Sequence, residues 1–185
     1  MKYRQTPHHL FNSNLQARPQ NAGAIWRTLC WVNDQVAISG DLSDFDSEAL
    51  VQLNEWIDQG ITDIIDLRGE ASHERFVAQH APHIRYHWLG VDDEGDRRSD
   101  EWFEAIEAAA QLVLQDPSRK VVIHCHMGVN RGPSAAFTAL ITHGVDPILA
   151  LTQIRSARPV AAILYSFDAV QWFAQRQGKS EQEVA

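Results

Sequence analysis

The 185-residue chain lacks several features that mark specialised classes of protein. It has only two cysteines, Cys30 and Cys125, which are too few for a disulfide-stabilised scaffold. No apolar run approaches the roughly 20 residues of a membrane-spanning helix, and the N-terminus has no apolar signal-peptide core. These absences predict a cytoplasmic protein with reduced thiols and no membrane partner.

Basic residues are also scarce, because 16 Lys and Arg face 24 Asp and Glu and give a formal net charge of -8. General nucleic-acid and anionic-membrane binders rely on many cationic side chains, so this balance excludes nucleic acid as an expected partner. A small local anion site is still compatible with it. The hydrophobic and charged fractions, 44% and 22%, are those of an ordinary globular protein.

Short apolar runs alternate with helix-like segments along the chain. Four runs are typical of strands: residues 36–39, 61–68, 84–91 and 121–124. Apolar residues at helical spacing predict helices over residues 43–60, 70–79, 99–116, 133–143, 146–157 and 167–176. Ser43 or Asp44, Ser99 or Asp100, and Asp146 are the expected N-caps.

This alternation predicts an α/β fold, a single domain with a central, mostly parallel β-sheet flanked by helices. The length also fits one domain. We place that domain at residues 31–178, between an N-terminal arm at residues 1–30 and a polar tail at residues 179–185.

The last predicted strand ends at His124 and Cys125, and Arg131 follows where a helix is about to begin. In open α/β sheets, ligands bind beyond the carboxyl ends of the strands. A tight loop before a helix turns backbone N–H groups inward, which suits a phosphate and favours the thiolate of Cys125, and Gly128 lets the loop curl. The planar guanidinium of Arg131 can bind two phosphoryl oxygens at once. We interpret Cys125 as a nucleophile and Arg131 as the clamp for a phosphoryl group.

Thiolate attack on a phosphoester expels an alkoxide or phenoxide, so the reaction needs a proton donor and afterwards a base to activate water. The acidic loop at residues 92–96 is the candidate source of that group. We favour Asp93, with Asp92 and Asp96 as alternatives. His124 is expected to orient the loop by hydrogen bonding. The remaining loop residues are candidate substrate contacts: His126, Met127, Gly128, Val129 and Asn130.

Two other interpretations of Cys125 are open, a buried core cysteine and a zinc ligand together with His124 and His126. The second lacks the usual additional Cys or His pair, so no metal and no cofactor are expected. Arg68 and Arg158 are candidate outer contacts for an anionic substrate, although structural ion pairs are favoured for both.

On these residues the chain resembles the cysteine-dependent protein phosphatases, within them the dual-specificity type. The family signature is His-Cys, five residues with glycine third, then Arg, which matches residues 124–131. The resemblance extends over about residues 36–173 and implies a phosphotyrosine-phosphatase-like fold. It implies hydrolysis of phosphotyrosine, phosphoserine or phosphothreonine in proteins or peptides through a phosphocysteine intermediate. Asp93 matches the family's general acid.

The chain departs from this family at Gly132. The family usually has Ser or Thr directly after the arginine, where the hydroxyl supports the thiolate and helps to discharge the phosphocysteine. Here Gly132 and Pro133 follow, and Ser134 comes two positions late. Slow turnover is therefore expected. A phosphate-ligand binding module with vestigial activity stays open, as does a phosphatase of non-protein phosphoesters, although the loop is less basic than phosphoinositides would favour. The oligomeric state is left open.

Overall fold

The computed structural model describes residues 25–184, which form a five-stranded sheet with helices on both faces. The strands are β1 (Cys30–Trp31), β2 (Val36–Ser39), β3 (Asp63–Arg68), β4 (Arg85–Val91) and β5 (Val121–His124). The helices are α1 (Asp46–Asp58), α2 (Glu74–His80), α3 (Asp100–Leu114), α4 (Arg131–Thr142), α5 (Pro147–Ala157), α6 (Ser166–Gln177) and α7 (Glu181–Val184), and a 3-10 turn covers Ile25–Arg27.

Strand β5 occupies the centre of the sheet, whose order is β1-β2-β5-β3-β4. It runs parallel to β2 on one side and to β3 on the other, with Ile123 paired to both Ile38 and Ile65. Only β1 is antiparallel to its neighbour. All four residues of β5 are buried, as expected for a central parallel strand covered on both faces. The predicted single α/β domain with a mostly parallel sheet is thus confirmed.

Two hydrophobic cores lie on the two faces of the sheet. The larger one packs α3, α4, α5 and α6 against one face and includes Phe103, Phe137 and Trp172. The smaller one packs α1 and α2 against the other face around Trp56 and Ile64. Because both faces are covered, the open part of the sheet is the end where β2, β3 and β5 all terminate, and the loop after Cys125 lies there.

The buried carboxylate of Asp63 lies at the opposite end of the sheet, where β3 begins. Burial alone would raise its pKa, but the nearby His87 and the hydrogen bonds from Arg119 and Thr62 outweigh this and lower the pKa to about 2. This cluster therefore stabilises the fold away from the candidate site.

Several predicted boundaries need correction. Phe45 precedes α1 as its N-cap residue and no side chain caps the helix, so neither Ser43 nor Asp44 has the predicted role. Helix α2 begins at Glu74 rather than at residue 70. Asp146 does cap α5, because its side chain accepts a hydrogen bond from the Leu149 N–H at 2.9 Å. Strand β1 is too short to have been predicted from an apolar pattern.

The proposed arm and tail are only partly described. Residues 1–24 of the arm lie outside the described residues, whereas Cys30 already belongs to the sheet. The tail contains the short helix α7. Within the described residues, the model contains no helix with the length and apolar character needed to span a membrane.

Candidate active site

The loop of residues 126–130, between β5 and α4, has its carbonyl groups tied to the surrounding protein. The carbonyl of His126 accepts from the Asp41 N–H at 2.9 Å, and that of Val129 accepts from the Ala162 N–H at 2.8 Å. Arg158 donates to the two carbonyls between them. Among residues 25–184, no acceptor pairs with the N–H groups of residues 126–130. Successive unpaired N–H groups at a helix start form an anion-binding concavity.

Gly128 makes this loop shape possible. Its φ angle is +63°, in the left-handed region where glycine alone is unstrained, and a Cβ there would lie 2.5 Å from the Ser39 carbonyl oxygen. Cys125 lies at the base of the loop, with only 2% of its surface exposed. The predicted strand, loop and helix arrangement around this thiol is therefore present.

Arg131 extends along the loop as the first residue of α4, and its guanidinium is held at one edge. Nη1 and Nη2 donate to the two carboxylate oxygens of Glu70 at 2.6 and 2.8 Å, and Nη1 also donates to the Val91 carbonyl at 2.9 Å. Burial lowers the pKa of Arg131, but the Glu70 hydrogen bonds outweigh it and raise the pKa. The same bonds lower the pKa of Glu70 to about 2. Arg131 is thus permanently charged and oriented before any ligand arrives.

The other edge of this guanidinium, formed by Nε and Nη2, faces Asp93. Nε is buried and has no hydrogen-bond partner in the described part of the chain. An unpaired buried donor is costly, and a planar fork of two N–H groups matches two oxygens of a phosphoryl group. Oδ2 of Asp93 lies 3.4 Å from Nε of Arg131. The residues predicted as clamp and acid are therefore neighbours.

Asp93 is held over the loop by two hydrogen bonds to one of its oxygens. Oδ1 accepts from Asn130 Nδ2 at 2.7 Å and from the Tyr165 hydroxyl at 3.0 Å. Oδ2, which makes neither bond, is the oxygen that could carry a transferable proton. Among the described residues, neither Asp92 nor Asp96 makes a side-chain hydrogen bond to the loop, whereas Asp93 does. The acidic loop follows β4, which is separated from β5 by β3. The geometry thus favours Asp93 over its two alternatives.

His124 is buried beneath the loop, in contact with an ion-pair network. Its Nδ1 lies 3.4 Å from the Cys125 carbonyl and its Nε2 3.8 Å from Asp66, which is paired with Arg68. Burial lowers the pKa of His124, so the ring is neutral at physiological pH. A neutral ring in this position can orient the loop, as predicted, but supplies no positive charge.

His126 points in a different direction from His124. Its Nδ1 donates to Oδ2 of the buried Asp41 at 2.7 Å, while about half of the ring is exposed. The two imidazoles on either side of Cys125 therefore face different carboxylates and do not converge on the thiol as zinc ligands would. The zinc interpretation is contradicted by this geometry.

Arg68 and Arg158 are both buried, so neither is an outer contact; the favoured structural ion pair is confirmed for Arg68, whereas Arg158 binds backbone carbonyls instead. Arg68 is buried in ion pairs with Asp66 and Asp41. Arg158 is buried as well, and donates from Nε to the Gly128 carbonyl and from Nη2 to the Met127 carbonyl at 2.8 Å. These hydrogen bonds from Arg158 hold the carbonyl groups of the loop in place. A guanidinium can do this because it offers five N–H donors in a fixed plane.

Glu70 and Tyr165 are the residues that sequence reasoning missed. Glu70 follows the end of β3, which is paired with β5, and the carboxyl ends of neighbouring parallel strands meet at one edge of the sheet. A charged residue just after β3 was therefore a detectable signal. Tyr165 is brought to Asp93 by the segment between α5 and α6, from about 70 residues away, and no local pattern announces it.

Comparison with known proteins identifies the family of this chain. The model of the rhodanese-like domain matches residues 49–153, which include the whole candidate loop. The chain belongs to the rhodanese-like domain family. A search of curated protein sequences finds no match.

Solved structures similar to this rhodanese-like chain are phosphatase folds. A mouse protein described as a dual-specificity phosphatase, complexed with zinc tungstate, has 18% identity and a TM-score of 0.67, over 88% of this chain and 97% of that one. A human tyrosine phosphatase-like serine/threonine/tyrosine-interacting protein has 18% identity and a TM-score of 0.62, over 82% and 99%. PTPMT1 in complex with PI(5)P has 14% identity and a TM-score of 0.61, over 82% and 99%. The predicted resemblance to dual-specificity phosphatases is confirmed for the fold.

Proposed function

We propose that this protein is a cysteine-dependent phosphatase that hydrolyses phosphomonoesters of proteins or peptides. The observation that carries the proposal is the combination, at one loop that follows Cys125, of backbone N–H groups without an acceptor and a buried Nε of Arg131 without a hydrogen-bond partner in the described part of the chain. Both are donors that lack an acceptor, and three phosphoryl oxygens would supply acceptors to them. A buried core cysteine would require neither feature.

The residues suggest a two-step reaction. The thiolate of Cys125 forms a bond to phosphorus while the ester oxygen leaves and takes a proton from Oδ2 of Asp93. Arg131 and the loop N–H groups stabilise the charge on the three equatorial oxygens. Asp93, now a carboxylate, removes a proton from water, whose oxygen attacks phosphorus and breaks the phosphorus–sulfur bond. Inorganic phosphate and the thiolate are released.

Hydrolysis of p-nitrophenyl phosphate in the presence of EDTA tests this proposal. The unmutated protein is expected to turn over, and Cys125→Ser is expected to lose activity by more than about 10³-fold, because an alcohol at this position is a far weaker nucleophile than a thiolate. Cys30→Ser is the matched control, because the Cys30 sulfur accepts a hydrogen bond from Arg158 Nη1 at 3.4 Å, which a serine hydroxyl can also accept, and this thiol should therefore be dispensable. Equal rates for the Cys125→Ser and unmutated proteins would refute the mechanism.

A second candidate function is a phosphate-ligand binding module with slow or vestigial hydrolysis. Gly132 favours it, because no hydroxyl follows Arg131 to assist discharge of the intermediate. Binding of a phosphopeptide by the unmutated protein, without release of phosphate over many hours, would support this candidate. The similarity to a phosphatase-like interacting protein is compatible with it.

A further inference from the structure

Four large apolar side chains in the candidate loop and in the segment from the end of α5 to the start of α6 are largely open to solvent. We call Met127, Val160, Leu164 and Phe167 the apolar rim; their exposed fractions range from 48% to 63%. Single exposed apolar residues are ordinary on protein surfaces. A group of them close to the candidate loop is a candidate contact surface for a substrate, since exposed apolar patches mark binding sites.

Main-chain hydrogen bonds hold the rim against the loop. The segment that follows α5 lies along the loop, because the Ala162 N–H donates to the Val129 carbonyl at 2.8 Å and the Leu164 N–H donates to Asn130 Oδ1 at 2.8 Å. Helix α6 continues from this segment to the acidic loop, where Asp168 accepts from the Arg98 N–H at 3.2 Å. The rim therefore spans the side of the mouth between the loop and the general-acid candidate.

The backbone conformation of Ile163 indicates that the exposure of the apolar rim has a function. Ile163 has a φ angle of +55°, in the left-handed region that β-branched residues rarely adopt. This conformation buries Ile163 in the core while the next residue, Leu164, is exposed at the mouth. Such strain is tolerated mainly at functional sites, since it costs about 1–3 kcal/mol.

The acidic loop at residues 92–96 adjoins the apolar rim, because the Gly95 N–H donates to the Tyr165 hydroxyl at 3.3 Å. Asp92, Glu94 and Asp96 are exposed, and Glu70 flanks Arg131. Arg98 is turned back over the Tyr165 ring, at 4.7 Å from the ring centre. A polyanionic lipid headgroup or an anionic membrane would meet this negative charge, whereas a peptide with neutral or basic residues would not.

We infer that the substrate is a phosphopeptide segment in which an apolar residue adjoins the phosphorylated residue and packs on the apolar rim. This inference rests on the proposed function. The phosphoryl group occupies the loop, the apolar neighbour covers Leu164 and Met127, and acidic neighbours are repelled by the loop at residues 92–96. The rim therefore sets selectivity among phosphopeptides.

Three synthetic phosphotyrosine peptides test the inference, identical except that the residues flanking phosphotyrosine are leucine, serine or aspartate. The unmutated protein should show a kcat/KM about 5- to 10-fold higher for the leucine peptide than for the serine peptide, and lowest for the aspartate peptide. Leu164→Ser and, separately, Val160→Ser should each reduce the leucine-to-serine ratio by about 3-fold or more. Leu112→Ser, at an exposed leucine on the far part of α3, is the matched control and should leave the ratio unchanged.

Equal rates for the three peptides, or a ratio that Leu164→Ser and Val160→Ser leave unchanged, would overturn the inference. Faster hydrolysis of phosphatidylinositol phosphate in vesicles than of the leucine peptide would overturn it in favour of a lipid substrate. Dissociation constants of the same peptides, measured by fluorescence anisotropy on the Cys125→Ser protein, test the rim without catalysis. If the unmutated protein hydrolysed neither p-nitrophenyl phosphate nor the peptides, while the dissociation constants still favoured the leucine peptide, the proposed function alone would be refuted.

Discussion

Restoring a hydroxyl after Arg131 is the most informative perturbation of this site. A Cβ added at Gly132 would lie 3.3 Å from the Cys125 nitrogen and 3.3 Å from the His124 carbonyl carbon. These contacts are tight, and relieving them requires the backbone at the end of β5 to shift by a few tenths of an ångström. A serine at this position would therefore fit at some cost, with its hydroxyl next to the nucleophile. Gly132→Ala introduces the same crowding without the hydroxyl and is the matched control.

The two effects of the substitution differ in size and can be separated. Overpacking costs about 1–3 kcal/mol, and replacing glycine within a helix returns about 1 kcal/mol, so both variants should lose about 0–2 kcal/mol of stability. For a chain of this length, that lowers Tm by at most about 8 °C. A hydrogen bond to a charged group contributes about 1.5–3 kcal/mol, so the serine hydroxyl should speed discharge of the phosphocysteine by about 10- to 100-fold.

Rapid mixing with p-nitrophenyl phosphate measures this effect directly. If discharge limits turnover, the unmutated protein and Gly132→Ala should release a burst of nitrophenolate stoichiometric with active sites, followed by a slow phase. Gly132→Ser should show a smaller burst and a higher kcat. A Gly132→Ser protein whose burst and kcat equal those of Gly132→Ala, at equal folded fraction, would refute the argument that the missing hydroxyl slows turnover.

Three further predictions concern the acid, the buried charge and the loop support. Asp93→Asn should lower kcat by about 10²-fold for an alkyl phosphate and much less for an aryl phosphate with a good leaving group, with substrate binding nearly unchanged. The same pattern for Asp92→Asn or Asp96→Asn instead would show that the general acid is misassigned. Asp63→Asn should lose about 2 kcal/mol of unfolding free energy at pH 7, because the pKa of Asp63 in the folded protein is lowered from 3.8 to about 2. Urea titrations should show the difference from the unmutated protein disappearing as the pH falls from about 4 to 2. A difference that persists at pH 2 would contradict this prediction. Arg158→Met should leave buried loop carbonyls unpaired and lower the free energy of unfolding, measured by urea denaturation, by roughly 3–5 kcal/mol. It should also weaken phosphate binding measured by calorimetry. Normal phosphate binding by the folded variant would show that the loop keeps its shape without Arg158.

The central part of the fold and the core of the site were predictable because their signals are local. The apolar run ending at Cys125 identifies a buried strand, and Gly128 and Arg131 at fixed offsets from the thiol predict an anion loop, without any knowledge of distant residues. Asp93 was predictable because a carboxylate at the end of a strand near the loop was required by the chemistry. Helix boundaries were less accurate, as at Phe45 and Glu74, since capping depends on geometry that residue types only bias.

The sequence by itself determined which residues carry reactive chemistry, because a thiol, a guanidinium and a carboxylate have those properties wherever they lie. Only the tertiary structure decided which groups face each other. In the folded protein, Arg158, a candidate outer substrate contact by sequence, is a buried support of the loop. Glu70 contacts Arg131, and Tyr165 contacts Asp93. The physical reason is that these pairings are between residues from about 30 to 70 positions apart, and such contacts depend on how the sheet and helices pack rather than on local periodicity.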